Sequence, residues 1–231
     1  MHYFPIALPF LLLFALLFVF LIIVIEIGIL RYAYERIGVG RRHMFALLVL
    51  SFLGSYVNIP VFQLPAHKVA SGELVTFFGM LYVVPVVRNW PGTIIAVNVG
   101  GAVIPTLLSI YLMVKNRLFR QGLVGVAIVT FFVHLMAYPV QGVGIAIPVF
   151  VPPLIAAVIA LLISRQFAPP LAYIAGSLGT LLGADILNLG RIQALGAPVA
   201  SIGGAGTFDG IFMTGILSVL MASLVAPKRT H

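Results

Sequence analysis

Ile145-Ala-Ile-Pro-Val-Phe-Val-Pro-Pro-Leu-Ile-Ala-Ala-Val-Ile-Ala-Leu-Leu-Ile-Ser164 is a run of 20 residues without a charge. An α-helix rises about 1.5 Å per residue, so such a run crosses the roughly 30 Å hydrocarbon layer of a bilayer. Working outward, comparable apolar runs occupy residues 3–30, 44–61, 92–114, 122–137, 171–189 and 208–226, separated by charged or Pro/Gly-rich breaks. The 231-residue chain is 62% hydrophobic and 8% charged, too little polar surface for a water-soluble domain of this size. The expected fold is an all-α polytopic membrane protein, a single transmembrane domain over residues 1–231 with about seven transmembrane helices.

The net charge of +8 does not point to nucleic acid, because the 13 basic residues are scattered among helix ends and form no continuous stripe. They read instead as topology. With the N-terminus outside and the C-terminus cytoplasmic, the inner segments hold Arg31, Arg36, Arg41, Arg42, Lys115, Arg117, Arg120, Arg165, Lys228 and Arg229. Only Lys68, Arg88 and Arg191 remain outside, as the positive-inside bias requires. The stretch Tyr3–Leu30 has no basic leader and exceeds a signal-peptide core, so it is expected to be a retained helix. Without cysteines, disulfides and thiolate metal sites are excluded, and no cofactor is expected.

The outer loop, Phe62–Pro91, contains Leu74–Val87, which is rich in β-branched and aromatic residues and interrupted by Gly79 and Pro85. That pattern predicts a short β-hairpin lying on the bilayer surface. Trp90, Tyr82, Phe77 and Phe78 suit an interfacial aromatic belt. Val97-Asn-Val-Gly-Gly-Ala-Val-Ile-Pro105 and Val140-Gln-Gly-Val-Gly-Ile-Ala-Ile-Pro148 echo one another. Their Gly and Pro residues predict that the third and fifth helices are discontinuous, although chance similarity of apolar sequence explains the echo equally well.

Tyr56-Val-Asn-Ile-Pro60, Trp90-Pro-Gly92, Ala96-Val-Asn-Val-Gly-Gly-Ala-Val-Ile-Pro105, Gly183-Ala-Asp-Ile-Leu-Asn-Leu189 and Ser201-Ile-Gly-Gly-Ala-Gly-Thr-Phe-Asp-Gly-Ile-Phe212 span most of the chain. Together they resemble the bacterial and archaeal membrane proteins grouped as domain of unknown function 1614. The resemblance implies a multi-pass protein of a prokaryotic cell membrane. It implies no activity, substrate or catalytic residue.

Chemistry has few places to reside, because the chain has five carboxylates. Glu35 and Glu73 fall in loops, and Glu26 is placed to pair with the Arg31 and Arg36 group. Asp185 lies one turn before the outer end of the sixth helix and Asp209 one turn after the outer start of the seventh, so neighbouring helices would hold them at similar depth. Asn58, Asn98, His134, Tyr138 and Asn188 fall at the same level. A carboxylate or amide facing lipid costs several kcal/mol, so these groups are expected to share a polar pocket in the outer third of the bilayer. Each has an ordinary alternative: Asp209 beside Thr207 as a helix cap, Asp185 paired with Arg191, His134 as a helix–helix contact. Gly203-Gly204-Ala-Gly206 could offer backbone N–H groups to an anion or carbonyls to a cation. Gly100, Gly101, Gly176, Gly179 and Gly183 most simply permit close helix packing.

Three functions compete. The first is transport of a small cation or a cation-coupled solute, bound by Asp185, Asp209, Asn188, Asn98, Asn58 and His134. The second is an intramembrane aspartic protease using an Asp185/Asp209 dyad, whose position resembles signal-peptide-peptidase-like enzymes although the flanking motifs depart from theirs. The third is an accessory subunit of a larger membrane complex, in which the aspartates only hold helices together. The bilayer is the expected partner in all three, with room for a homo-oligomer.

Overall fold

The computed structural model describes residues 16, 17, 19, 20, 28–65, 67–77, 80–90, 92–140, 144–192, 198–204 and 210–227. Most of the expected first helix with Glu26, and also Phe78, Gly79, Gly206, Thr207 and Asp209, lie outside these residues, as do the side chains of Phe77, Tyr82 and Trp90.

The described chain is mostly helical, with small sheets. After α1 (Ile29–Arg36) and α2 (Arg41–Gly54) come strand β1 (Asn58–Gln63), the long hairpin β2 (His67–Phe77) and β3 (Met80–Trp90), and β4 (Ile94–Asn98). β4 passes directly into a π-helical turn, Val99–Val103, and then α3 (Ile104–Asn116). α4 (Phe119–Met136), the small strands β5 (Tyr138–Val140) and β6 (Gly144–Ala146), α5 (Val151–Ile163) and α6 (Ala168–Thr180) follow. α6 continues through a π-helical turn, Leu181–Asp185, and a 3-10 turn, Ile186–Asn188, into the short α7 (Leu189–Ile192). β7 (Val199–Ile202) then leads to α8 (Gly210–Val225). Prolines stand at the first positions of α5 and α6, where a missing N–H costs nothing and the fixed φ is already helical, and Pro105 stands where the π-turn gives way to α3.

Val99–Asn116, Phe119–Met136 and Ala168–Arg191 are long and apolar enough to cross a membrane. The apolar helices Arg42–Gly54, Val151–Ile163 and Gly210–Val225 are shorter. α6 is the central helix, packed by α3, α4, α5 and α8, and all of its residues except Leu178 are buried. Close approach is built into its faces: a Cβ at Gly179 would lie 2.6 Å from Val129, and one at Gly183 would lie 2.7 Å from the Thr130 carbonyl oxygen.

Several expected helices are partly strand. The run 44–61 stops as a helix at Gly54, and Asn58 begins β1. The run 92–114 begins as β4, and the run 145–164 becomes helical only at Val151. Short apolar stretches such as Ile94–Asn98 have no period that separates a buried strand from a helix, and here pairing decided. β1 pairs antiparallel with β4, placing Asn58 opposite Asn98, while β4 pairs parallel with β7, placing Ala96 opposite Ser201. The echo between 97–105 and 140–148 has no structural counterpart, since the first spans the end of β4, a π-turn and the start of α3, while the second includes the strand ends of β5 and β6. The hairpin expected around Leu74–Val87 is present and longer than that stretch, running in register from His67 opposite Trp90 to Phe77 opposite Met80, with Pro85 opposite Gly72.

The bundle has two unlike ends. At one, Arg36 donates through Nη1 to the Pro227 carbonyl at 2.9 Å and through Nη2 to the Ala226 carbonyl at 2.5 Å, and Lys115 Nζ donates to the Gly38 carbonyl at 2.5 Å. At the other lie the three-stranded sheet, both π-turns and most of the buried amides.

Candidate functional site

The polar end is assembled from the irregular pieces of backbone. Asn98 closes β4 and caps the following π-turn, its Oδ1 accepting the Gly101 N–H at 2.8 Å. Its Nδ2 donates to the Ser55 carbonyl at 2.8 Å and to Asn58 Oδ1 at 3.1 Å, so a completely buried amide spends both donors and its acceptor. Asn58, exposed at the start of β1, also accepts from Ser201 Oγ at 2.5 Å. Three strands, β1, β4 and β7, and the end of α2 are thereby tied at one point.

Glycine makes this crossing feasible. A Cβ at Gly101 would sit 1.9 Å from the Gly203 carbonyl oxygen, and one at Gly100 would sit 2.1 Å from the Ser51 carbonyl oxygen. Gly203 itself has φ +90°, a left-handed conformation that a side chain would strain. Its N–H points to the sixth-helix carboxylate, donating to Asp185 Oδ2 at 2.7 Å. The N–H that the Gly-Gly segment presents is thus taken by the protein's own Asp185 carboxyl group. Asp185 is half-buried at the end of the π-turn that extends α6, and Arg191 is exposed on α7.

Asn188 lies three residues beyond Asp185 and is completely buried. Where the helical hydrogen-bond spacing shortens from i→i+5 to i→i+3, its Nδ2 donates to the carbonyls of Gly183 at 2.8 Å and Ala184 at 3.0 Å. Nδ2 also lies 3.3 Å from Nδ1 of His134, in the last turn of α4. For that contact to be a hydrogen bond, one of the two amide N–H groups must be shared between a carbonyl and the ring, and Nδ1 must be the unprotonated ring nitrogen. The two carbonyls also fix the amide orientation, because a flipped Asn188 would set its oxygen against them. The other side of the amide is then Oδ1, which is buried and has no hydrogen-bond partner among the described residues. Thr130 Oγ1 on α4 and Thr180 Oγ1 on α6 are buried without partners in the same way.

Of the residues singled out from the sequence, the structure joins Asn58 with Asn98 and Asn188 with His134, and it bridges Asp185 to Asn58 through the Ser201–Gly203 segment. Tyr138 begins β5 and is exposed. Asp209, and with it the Asp185/Asp209 dyad, lies outside the described residues. Ser55 and Ser201 did not stand out in the sequence as bonding partners, because small uncharged residues are common in it, and Gly101 and Gly203 stood out separately and not as neighbours. The side-chain oxygens at this end come from the half-buried Asp185 and the buried Asn188, with the His134 imidazole beside the latter. Among the described residues no three His, Cys, Asp or Glu side chains come together as a metal cluster.

The family model described as protein of unknown function (DUF1614) matches residues 52–221. That stretch contains every residue of the polar end. No curated protein and no solved structure matches the chain.

Proposed function

The chain belongs to the DUF1614 family of proteins of unknown function, and from that premise we propose that it is a multi-pass membrane protein carrying a small cation, alone or coupled to a solute, through its polar end. The observation that carries this reading is Asn188 Oδ1: a buried carbonyl oxygen with no partner among the described residues, three residues from the Asp185 carboxylate on the central helix. An unmet buried acceptor costs about 1–3 kcal/mol, and a cation or its water would offset that cost. Oxygen donors without thiolates suit a hard cation such as sodium or a hydrated proton.

Interrupted helices support the same reading. Non-helical backbone at membrane depth persists only where it is buried in protein or lines a wet cavity, and substrate sites of transporters are built on such breaks. Here β4 with its π-turn and the π-turn after α6 converge through Gly101, Gly203 and Asp185. The orientation that accompanies the proposal puts the Arg36 and Lys115 end in the cytoplasm and the polar end outside. Seven crossings belong to the proposal too: the three long spans, the shorter apolar helices α2, α5 and α8, and the apolar run 3–30 read from the sequence.

The test is cation-dependent stability of the purified protein in detergent at constant ionic strength. Saturable stabilisation by sodium, lithium or potassium over N-methylglucamine is expected, reaching about 2.7 kcal/mol at 100 times the dissociation constant. Asp185→Asn and Asn188→Leu should both lose it. An identical salt response in all three proteins would remove the basis of the proposal.

A further inference from the structure

A second feature stands at the opposite, basic end. Between α2 and α3 runs a groove of about 700 Å³, within the roughly 300–1,000 Å³ of small-molecule sites. On α2 it is lined by Ala46, Leu47 and Leu50, and on α3 by Leu107, Leu108 and Tyr111. On α2 these positions and His43 recur at i, i+3, i+4 and i+7, so the apolar wall follows one face of the helix. Leu50 is 55% exposed and Leu107 is 60% exposed, so the wall is open along its length.

The polar groups of the groove gather at one mouth. Lys115 and His43 stand there with the backbone of Gly38 and Gly40. Lys115 Nζ donates to the Gly38 carbonyl and lies 5.4 Å from the centroid of the Tyr111 ring. An ammonium has three donors, so further ones remain for a ligand. α2 starts at this same mouth, and its N-cap, Gly40, contributes no side-chain hydrogen bond to the first N–H groups. Both the N-terminal end of this helix and the lysine favour negative charge. Arg42 is exposed in the same turn.

We propose that this groove binds one anionic phospholipid, its acyl chain along the leucine wall and its phosphate against Lys115 and the start of α2. One-ended positive charge on an otherwise apolar channel complements an amphiphile with a single anionic head. The inference rests on the chain being embedded in a bilayer, but not on cation transport. It gives Lys115 a ligand in addition to a topological role.

Native mass spectrometry of the full chain in detergent, titrated with phosphatidylglycerol, phosphatidylcholine or inorganic phosphate, tests it. Wild-type protein should retain one phosphatidylglycerol about fivefold more tightly than phosphatidylcholine of the same chain length, the order expected for one basic residue at a lipid surface. Lys115→Met should abolish that preference and Lys115→Arg should restore it, while Ala46→Trp should weaken both lipids by blocking the chain. Inorganic phosphate should not compete. Equal retention of the two lipids by wild-type protein, or a preference that survives in Lys115→Met, overturns the proposal. So does a photocrosslinker at position 46 that captures residues 1–26 of the chain in place of lipid. The Arg variant separates loss of charge from loss of fold.

Discussion

Asp185 Oδ2 accepts the backbone N–H of Gly203 at 2.7 Å, joining the end of the central helix to the turn that leads from β7 towards α8. The contact needs an acceptor, not a charge. Asp185→Asn can keep a carbonyl oxygen for Gly203 and should cost less than about 1.5 kcal/mol, whereas Asp185→Leu strands the N–H and should cost about 1.5–3 kcal/mol. Thermal unfolding in detergent distinguishes the two, and a loss of equal size in both variants would show that charge holds the turn.

The Gly101–Gly203 crossing has no room for a methyl group. Gly101→Ala would place Cβ 1.9 Å from a carbonyl oxygen, and Gly203→Ala would place it 2.6 Å from Ala102 with φ at +90°. Each should destabilise by more than about 3 kcal/mol or prevent folding, since backbone cannot yield as a flexible side chain can. Gly190 has open space around its would-be Cβ and a helical setting. Gly190→Ala should be neutral or stabilising by about 0.5–1 kcal/mol. Expression level and melting temperature report both results.

Removing the Asn188 amide exposes a different weakness. Asn188→Ala takes a donor from the Gly183 and Ala184 carbonyls and should cost about 1–3 kcal/mol. His134→Ala leaves both of those bonds in place and should cost under about 1 kcal/mol. A double-mutant cycle on melting temperatures should show the two substitutions coupled, because His134 acts on the fold through Asn188.

Arg36 fastens the far end of the bundle. Its guanidinium donates to the carbonyls of Ser223, Ala226 and Pro227 at the C-terminus of α8, and its carbon Cζ lies 5.6 Å from the Tyr32 ring centroid. A cation there satisfies terminal carbonyls and opposes the helix dipole. Arg36→Gln should lower stability by about 2 kcal/mol, measured by chemical denaturation, while leaving the cation-dependent stabilisation proposed for the polar end unchanged.

The apolar helices were legible from run length alone, since every described element from α3 to α8 longer than ten residues falls mainly within an expected run. Their polar-end boundaries were not. Ile94–Asn98 reads as the start of a helix because its strand character depends on β1 and β7, distant in sequence, and local apolar residues carry no record of such pairing. The long hairpin was legible, at least in its centre, from β-branched residues around Gly79. Asn58, Asn98, Asn188, His134 and Asp185 stood out in the sequence because polar groups are scarce in this chain and costly in lipid. What they bond to did not, because the partners are largely backbone groups of Gly101, Gly183, Ala184 and Gly203.

Cation flux into proteoliposomes tests the central claim most directly. Wild-type protein should carry a monovalent cation or protons down an imposed gradient with saturable kinetics. Asp185→Asn, which keeps the Gly203 contact, should fall to the level of protein-free vesicles while retaining a melting temperature near that of wild type. A folded Asp185→Asn protein that carries the cation at the wild-type rate, or a wild-type protein that passes none of sodium, potassium, lithium or protons, would contradict the account.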